Sequence, residues 1–302
     1  MASGPGARPP ANQMRWSAAP PRTKSAANTS AETAVRRAAP RMTWSASERQ
    51  ESAGSTGLSY RTRPAPVKAR ACARIAPGGT PMATRADNLS RRFARIPTAA
   101  VTDVLDELGL QRQTLPSTIR PLAPEMRTAG YAFPVRGRPR RNAPRERDAT
   151  LRQFLRMLGA VPADSVLVLA ANDSTAAHFG ELSAAALRAR RVRGAVVDGA
   201  TRDAAGIARA RFPTFVRYRT PQDSVPRWRV TDWGQPVTIG GVRVSLGDVV
   251  VGDLDGVVVV PRRVAHETLV RCEKLVGTER RLRGAVRGGM PPLDAYEKFG
   301  VF

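Results

Sequence analysis

Residues 180–203 read GELSAAALRARRVRGAVVDGATRD, and their pattern predicts a helix followed by a buried strand. Alanines and a leucine suit a helix that packs closely, and arginines gather toward its C-terminal end, where the helix dipole favours cations. Gly194 is expected to end the helix, and the apolar run 195–197 is of the β type. Asp198 and Gly199 are then expected to turn the chain at the end of the strand.

The two ends of this segment carry acidic and basic side chains. Glu181 stands at the start of the predicted helix, and the adjacent Arg202 and Asp203 follow the predicted strand. A helix and a strand of these lengths can return the chain to its starting edge, so we expect the three side chains in one pocket. A guanidinium beside two carboxylates can bind a divalent cation and an anionic substrate together.

Each of these three residues also has a purely structural interpretation. Asp203 precedes residues 204–208, which form a natural helix start, and it would then be an N-cap. Glu181 is a favourable acid in the first turn of a helix. Arg202 is one of many arginines in this chain. The residues by themselves leave both interpretations open.

The spacing of Glu181, Arg202 and Asp203 resembles the acid-x20-Arg-Asp motif of the RraA-like / 4-hydroxy-4-methyl-2-oxoglutarate aldolase family. Further blocks in the same order resemble that family: TAAVTDVLDELG (98–109), GAVVDG (194–199), PVTIGGVRVSLGDVVVGDLDGVVVVP (236–261) and LDAYEKFG (293–300). The resemblance runs from residue 96 to residue 302. It implies an α/β fold, a β-sandwich flanked by helices of the swivelling phosphohistidine-domain type, and a homotrimer or hexamer with active sites between subunits.

The resemblance also implies roles for the charged residues. Asp203 is expected to bind Mg²⁺, Mn²⁺ or another divalent cation directly, and Glu181 to bind that cation through water and to accept a proton. Arg202 is expected to hold the carboxylate or carbonyl oxygen of the substrate, since its planar fork matches a carboxylate. Glu279 is expected to reach the metal of a neighbouring subunit.

The start of the predicted helix is the second part of the expected substrate site. Gly180, Leu182 and Ser183 begin it, and their free backbone N–H groups suit the carboxylate of a 2-oxo acid. Ser183 stands where the resembled family usually has an apolar residue, which makes the pocket wall more polar. His178 lies just before this helix and is expected to be a satisfied or exposed histidine without a catalytic role.

The activity implied by the resemblance is that of a class II aldolase, a metal-dependent carbon–carbon lyase. The expected substrates are 4-hydroxy-2-oxo dicarboxylates, either 4-hydroxy-4-methyl-2-oxoglutarate or 4-carboxy-4-hydroxy-2-oxoadipate, which would yield pyruvate. Oxaloacetate decarboxylation is expected as a side activity because it passes through the same enolate. The alternative within the same family is a non-enzymatic RraA-type protein that binds ribonuclease E and regulates it.

Composition divides the chain of 302 residues into two parts. Residues 1–88 are rich in Ala, Pro, Ser, Thr and Arg, and contain 14 Lys and Arg against 4 Asp and Glu. This predicts a disordered basic extension, since such a segment cannot bury enough apolar surface to offset chain entropy. A targeting segment and an over-long gene model, with Met82 as the true start, are the alternatives. Residues 89–302 are predicted to form one α/β domain.

The rest of the composition limits the classes of function. No apolar run is long enough for a transmembrane helix, and no secretory pattern is present. Cys72 and Cys272 are isolated, as are His178 and His266, which predicts neither disulfides nor a zinc or histidine site and fits a cytoplasmic protein. The net charge of +24 comes without aromatic-interleaved basic motifs, since aromatics are only 5%. We therefore expect no membrane and no specific nucleic acid partner, and the small-molecule oxo-acid partner is what the family resemblance implies.

Hydrophobic periodicity predicts the remaining elements. A helix is expected over 98–108, capped by Thr98 and ended by Gly109. An Arg/Pro-rich loop is expected over 136–148. The other predicted strands are 118–135 (with an internal turn), 165–170, 212–218, 237–239, 242–244, 249–252 and 256–260, and the other predicted helices are 149–158 and the region from 263 onward.

Overall fold

The computed structural model describes residues 89–140 and 144–302. The predicted disordered extension 1–88 and the alternative start at Met82 lie outside these residues and stay predictions. After a short helical segment at 89–93, the helices are α1 (Thr98–Glu107), α2 (Arg147–Ala160), α3 (Glu181–Ala189), α4 (Ala204–Arg209), α5 (Ala265–Arg287) and α6 (Pro292–Phe299). The strands are β1 (Arg120–Pro121), β2 (Thr128–Pro139), β3 (Ser165–Ala170), β4 (Ala177–Phe179), β5 (Gly194–Thr201), β6 (Thr214–Arg219), β7 (Trp228–Trp233), β8 (Val237–Ile239), β9 (Val242–Val244), β10 (Val249–Gly252) and β11 (Val257–Val260).

One mixed sheet of nine strands forms the body of the domain. Its main path runs β1-β6-β5-β3-β2-β10-β11, with β4 paired to β5 and β7 paired to β2. β2, β3, β5 and β6 are mutually parallel along this path, and β1, β7, β10 and β11 are antiparallel additions. β3 and β5 are almost entirely buried, as expected of parallel strands that are covered on both faces. β8 and β9 form a separate hairpin.

Apolar side chains cover both faces of the sheet. Leu167 and Leu169 point to one face and pack in a cluster with residues of α2 and α3. Val166 and Val168 alternate with them and pack on the other face with the hairpin β8–β9. A third cluster joins α1 and α5 to β10 and β11. The predicted α/β fold is confirmed: a nearly closed, barrel-like β core carries helices on its outside.

The first helix begins where it was predicted, but a distant residue caps it. The N–H of Thr98 donates to Asp253 Oδ2 at 2.9 Å, and its Oγ1 donates to Asp253 Oδ1 at 2.6 Å. The prediction that Thr98 is the cap was wrong, since Asp253 in the β10–β11 turn supplies the acceptor. Gly109, at φ +73°, follows the helix as predicted.

Within residues 180–203 the order of helix and strand was predicted correctly, but the predicted C-terminal end of the helix and the predicted C-terminal end of the strand were wrong. The helix stops at Ala189, and Gly194 opens β5 instead of ending the helix. Asp198 and Gly199 lie within β5, which continues to residue 201. Asp198 pairs with Ala170 of β3, and the pairing with β6 shifts register between Val197 and Ala200 and then resumes. The backbone pairs before and after this irregularity therefore keep the chain extended despite the local turn signal.

The predicted Arg/Pro-rich loop 136–148 is also partly regular structure. β2 continues to Pro139 and pairs with β7, and α2 begins at Arg147. Neither β7 nor the short β4 was predicted. Their partner strands stabilise them, and composition alone does not show such pairing.

Two predictions from composition can be compared with the described residues. No helix among them has both the length and the apolar character needed to span a bilayer. Cys272 is buried on α5, and burial raises the pKa of its thiol to about 12. It is therefore an unreactive core residue, while Cys72 lies outside the described residues.

Candidate active site

Three parallel strand ends meet at one edge of the sheet. β4 pairs with β5 and β5 with β6, so that Phe179 lies beside Thr201 and Thr201 beside Arg219. The residues that follow, Gly180 and Arg202 among them, are therefore neighbours in space. Ligands commonly bind at such an edge of an α/β sheet, because the loops and helices that follow the strands leave a crevice there.

Two hydrogen bonds fix the ends of β4 and β5 to each other. The N–H of Arg202 donates to the carbonyl oxygen of Phe179 at 3.0 Å. The Oγ1 of buried Thr201 donates to the same oxygen, also at 3.0 Å. The residues immediately after these strands therefore keep fixed relative positions, although α3 and β5 separate them in sequence.

Asp203 occupies the N-cap position of α4 without capping the helix through its side chain. Its backbone is left-handed, with φ 56° and ψ 32°, and its carboxylate makes no capping hydrogen bond. Its carbonyl oxygen accepts hydrogen bonds from the N–H groups of Gly206 and Ile207, at 2.9 and 3.2 Å. Aspartate tolerates the left-handed region better than most residues. The carboxylate is half-exposed and not engaged by the helix that it precedes.

Arg202 lies between two carboxylates. Its Nε is 3.7 Å from Asp203 Oδ2, and its Nη1 is 3.5 Å from Asp223 Oδ1. Both distances exceed the range of about 2.7–3.2 Å for a good N–H···O hydrogen bond. Within the described part of the chain no short hydrogen bond engages this guanidinium, and its side chain is half-exposed. Its donors are therefore available to an anionic ligand.

Two glycines leave room for the two carboxylates of the site. A methyl group built on Gly180 would lie 3.1 Å from Asp203 Oδ2, and one built on Gly206 would lie 2.2 Å from Glu181 Oε2. Gly206 belongs to the first turn of α4 and Glu181 to the first turn of α3. The starts of the two helices therefore face each other, and the structure brings Glu181, Arg202 and Asp203 together.

The donor set at this point fits a hard divalent cation. Asp203 and Glu181 offer carboxylate oxygens, the ligand type that Mg²⁺ prefers. Among residues 89–140 and 144–302 no group of three or more His, Cys, Asp and Glu side chains could hold a metal ion. One or two carboxylates suffice for Mg²⁺, since it keeps several waters and also takes oxygens from the substrate. The predicted ligand roles of Asp203 and Glu181 are compatible with this geometry and stay predictions.

The start of α3 supplies backbone donors to the same place. Gly180 is the N-cap of α3, in extended conformation and without a side-chain cap. The N–H groups of the first turn, including those of Leu182 and Ser183, have no acceptor within the helix. Ser183 is buried, whereas Leu182 is 86% exposed. The backbone donors on which the predicted anion site depends are thus present, the exposed leucine lies beside them, and the binding role itself stays a prediction.

Asp223 is a candidate residue that the sequence did not reveal. It lies in the loop after β6, where Oδ1 accepts the N–H of Val225 at 3.3 Å. The same oxygen is the partner of Arg202. Its sequence context is that of an ordinary loop aspartate, and a bridge between Asp223 and Ala177 of β4 brings it to the site.

His178 is a structural residue, as predicted. Its Nε2 is 2.9 Å from Asp173 Oδ2, and its Nδ1 accepts the N–H of Ala200 at 3.5 Å. The ring packs edge-on against Trp228, with centroids 4.9 Å apart. Burial lowers the pKa of His178, although Asp173 acts in the opposite direction. The imidazole is therefore neutral near pH 7 and fully used within the core.

Glu279 lies elsewhere, on the long helix α5. Its Oε2 is 3.8 Å from Nη2 of Arg283, one turn further along the same helix. The predicted reach of Glu279 into the site of a neighbouring subunit stays a prediction.

A cavity of about 200 Å³ opens beside the charged cluster. Its charged or polar lining residues are Thr150, His178, Ser183, Arg202, Asp203, Asp223, Ser224 and Arg229. The main apolar lining residues are Leu151, Phe154, Leu155 and Leu158 of α2 with Phe179, Leu182, Val225 and Trp228. The four residues of α2 are spaced as one face of a helix. The cavity thus combines a group of charged side chains with a largely apolar lining.

Comparison with protein families matches residues 98–259 to the RraA-like model, described as Aldolase/RraA. A protein of Halalkalibacterium halodurans, provisionally named 4-hydroxy-4-methyl-2-oxoglutarate aldolase, is 30% identical over 205 residues. The matched region covers 68% of this chain and 91% of that relative.

Two solved structures are similar to this chain over most of their own length. Streptomyces coelicolor RraAS2, described as an unusual member of the RNase ES inhibitor RraA protein family, is 28% identical with a TM-score of 0.59. The match covers 65% of this chain and 96% of that protein. An uncharacterized protein of Pseudomonas syringae pv. tomato is 28% identical with a TM-score of 0.61, over 70% of this chain and 97% of its own.

Proposed function

The chain belongs to the RraA-like family, and on that premise we propose that it is a divalent-metal-dependent lyase that cleaves a carbon–carbon bond in 4-hydroxy-2-oxo acids. One observation carries the proposal: Arg202 and Asp203 lie against Gly180 beside a cavity, and Glu181 lies against Gly206 in the helix that Asp203 precedes. The aldolase name of the H. halodurans relative supports the reaction type. 4-Hydroxy-4-methyl-2-oxoglutarate and 4-carboxy-4-hydroxy-2-oxoadipate are the first substrates to test.

The 2-oxo acid end of such a substrate matches the charged side chains that line the cavity. The backbone N–H groups at the start of α3 and the guanidinium of Arg202 bind its carboxylate and 2-oxo oxygen. When the C3–C4 bond breaks, its electron pair moves to C3, and the 2-oxo oxygen gains the charge of a pyruvate enolate. Arg202 stabilises that developing charge. Oxaloacetate decarboxylation produces the same enolate and should use the same group.

The cofactor we propose is Mg²⁺ or Mn²⁺, held by Asp203 directly and by Glu181 through water. Such a cation supplies Lewis-acid polarisation of the substrate oxygens. Glu181 accepts the proton of the 4-hydroxyl group, through an intervening water, as the C4 carbonyl forms. Gly180 and Gly206 keep the space that the two carboxylates occupy.

The proposal is tested by pyruvate release from both dicarboxylates and from oxaloacetate, with Mg²⁺ or Mn²⁺ and with EDTA. We expect release with metal, loss of activity in EDTA and recovery on adding metal back. Full activity in EDTA contradicts the metal dependence. No pyruvate from any 4-hydroxy-2-oxo acid contradicts the lyase.

The similarity to RraAS2 favours a second candidate, a protein-binding regulator of a ribonuclease E-type enzyme. This role requires a protein-binding surface and places no demand on Arg202. Inhibition of ribonuclease E that persists in Arg202→Ala, with no lyase activity in the native chain, would support it. The two functions are therefore separable by one variant.

The family also leads us to propose a homotrimer or hexamer with the active site between subunits. Leu182 is 86% exposed at the edge of the cavity in a single chain, where a neighbour can approach. Light scattering gives the molar mass that tests this assembly. Glu279→Gln tests the shared site, since activity should fall without any change in molar mass.

A further inference from the structure

The cavity beside Arg202 has a mostly apolar lining. Leu151, Phe154, Leu155 and Leu158 form one stripe of α2 that lines it. Leu155 is 54% exposed, and Phe154 is only partly buried against the core cluster. We define these four residues as the α2 stripe. No other element covers the stripe completely within the described part of the chain, and it faces the same space as Arg202.

Three charged residues that line the cavity, Arg202, Asp203 and Asp223, are neighbours of one another. Arg147, the first residue of α2, lies 3.8 Å from Oδ2 of Asp223, and its side chain is 65% exposed to solvent. A 2-oxo acid bound beside these residues uses Arg202 for its own carboxylate. A second carboxylate, carried on C4, would then point toward the α2 stripe and lose hydration without a cation to replace it.

Arg229 also borders the cavity, but its side chain belongs to another surface. Residues alternate between the faces of a strand, and Trp228 and Val230 of β7 point into the core cluster beneath the cavity. Arg229 therefore points to the opposite face. Burial, followed by the charges of Arg140 and Arg138, lowers the pKa of Arg229, which places it within a basic cluster on that face.

The size of the cavity indicates the size of the group that fits. Its volume is about 200 Å³. A cavity of about 150 Å³ lined by Leu, Ile and Phe is large enough for benzene. The volume of about 200 Å³ includes the part around Arg202 that the 2-oxo acid would occupy. An aryl or branched alkyl group on C4 would fill more of the remaining apolar space beside the α2 stripe than a methyl group.

We propose that this chain prefers 4-hydroxy-2-oxo acids whose C4 substituent is apolar and up to about phenyl size over the corresponding dicarboxylates. This inference rests on the proposed lyase function and concerns the far end of the same site. Cleavage of 4-hydroxy-2-oxo-4-phenylbutanoate breaks C3–C4, and the 4-hydroxyl group loses its proton as C4 becomes the carbonyl carbon of benzaldehyde. The electron pair left on C3 forms the enolate of pyruvate, which takes up one proton at C3. Atoms and electrons balance without any further reactant.

Binding tests the inference separately from catalysis. 2-Oxo-4-phenylbutanoate and 2-oxoglutarate share the 2-oxo acid end and differ in carrying a phenyl group or a carboxylate on C4. Isothermal titration calorimetry with Mg²⁺ should show the phenyl compound binding at least about tenfold more tightly to the native protein, the lower end of the discrimination expected from an apolar pocket. Equal affinities, or tighter binding of 2-oxoglutarate, would overturn the inference.

A variant pair links this preference to the α2 stripe. Leu155→Arg brings a cation into the apolar part at an exposed helix position, so the fold should be retained, and the preference should fall about tenfold. Leu246→Arg is the matched control, because Leu246 is equally exposed, at 53%, and does not line the cavity. Leu246→Arg should keep the native ratio of the affinities for 2-oxo-4-phenylbutanoate and 2-oxoglutarate. If Leu155→Arg changes the molar mass and leaves the ratio intact, a second subunit covers the stripe and the inference is wrong.

Turnover distinguishes this inference from the function on which it rests. Native protein should release pyruvate from 4-hydroxy-2-oxo-4-phenylbutanoate with a higher kcat/KM than from 4-hydroxy-4-methyl-2-oxoglutarate. Release from the dicarboxylate alone supports the lyase and overturns the apolar preference. Tight binding of 2-oxo-4-phenylbutanoate without pyruvate release from either substrate supports the apolar preference and overturns the lyase.

Discussion

Two side-chain pairs near the same strand ends have opposite characters. His178 and Asp173 are almost completely buried, 2.9 Å apart, and the second ring nitrogen of His178 accepts a backbone N–H. Arg202 and Asp203 are half-exposed and 3.7 Å apart. The hydrogen-bonding groups of the first pair have partners inside the protein, whereas the second pair keeps donors and acceptors available beside a cavity.

This difference separates a structural pair from a functional candidate. A buried polar group must find partners inside the protein, because leaving it unpaired is costly. His178 and Asp173 meet that requirement and have nothing left to offer a ligand. Arg202 is instead held by charge between Asp203 and Asp223. A ligand carboxylate can therefore form better hydrogen bonds with Arg202 than its present partners do.

The comparison is tested most strongly at Asp203. Asp203→Asn removes the charge and keeps a residue type that tolerates the left-handed backbone at φ 56°. Pyruvate release should fall by about 10³-fold, since a catalytic cation supplies several kcal/mol of transition-state stabilisation. The melting temperature should stay within a degree or two of native, roughly the scatter of a surface change.

Asp164→Asn is the matched control for that variant. Asp164 also has a left-handed backbone, at φ 60°, but lies at the opposite end of β3 and pairs with Arg193. It should retain full activity. If both variants are equally active, Asp203 is not a ligand of an essential metal.

Substitution of Arg202 should give the second largest loss of pyruvate release. Arg202→Ala should lower kcat by about 10²–10³-fold on both the 4-hydroxy-2-oxo acid and oxaloacetate, because one charged donor to the shared enolate is lost. Arg202→Lys keeps the charge without the planar fork and should be partly active. Arg209→Ala, at the exposed far end of α4, should match native protein. Equal rates for native and Arg202→Ala would exclude the proposed role.

Most of the fold followed from local sequence patterns. β3 was predicted over its full length because a continuous apolar run flanked by polar residues has few other interpretations. β4 and β7 were missed, since both are stabilised by strands distant in sequence. The end of β5 was missed for the same reason: Asp198 and Gly199 look like a turn, but the pairing of β5 with β6 resumes beyond them, at Ala200.

The candidate site was only partly predictable. Glu181, Arg202 and Asp203 lie at the ends of one helix–strand segment, so their proximity followed from element lengths. The position of Asp223 beside Arg202 did not, because it depends on a bridge between Asp223 and Ala177 of β4, a strand that was not predicted. The α2 stripe was predicted as an amphipathic helix, but which space its apolar face lines depends on tertiary packing.

The smallest predicted effect concerns the buried pair and the stability of the protein. The pKa of His178 in the folded state lies below its ordinary value of 6.5, mainly because of burial. The unfolded chain therefore binds a proton more readily at this residue. The contribution of His178 to stability is fully present above pH 6.5 and decreases as the pH falls from 6.5 toward the folded pKa. Burial raises the pKa of Asp173, whereas the hydrogen bonds from Thr175 and His178 lower it, and the resulting pKa lies below 3.8. Asp173 therefore changes the stability only in a more acidic range than His178 does.

Urea unfolding between pH 7 and pH 5 measures this contribution. The native free energy of unfolding should decrease over that interval, and His178→Gln, which keeps an N–H donor for Asp173 but cannot titrate, should decrease less. At pH 7 the variant should be less stable by about 1–2 kcal/mol, because ring packing on Trp228 and one hydrogen bond are altered. Its pyruvate release per folded molecule should match native protein, since the pair contributes to the fold and Arg202 with Asp203 to the chemistry. If His178→Gln keeps native stability and loses activity, the comparison between the two pairs is reversed, and the buried histidine is the functional one.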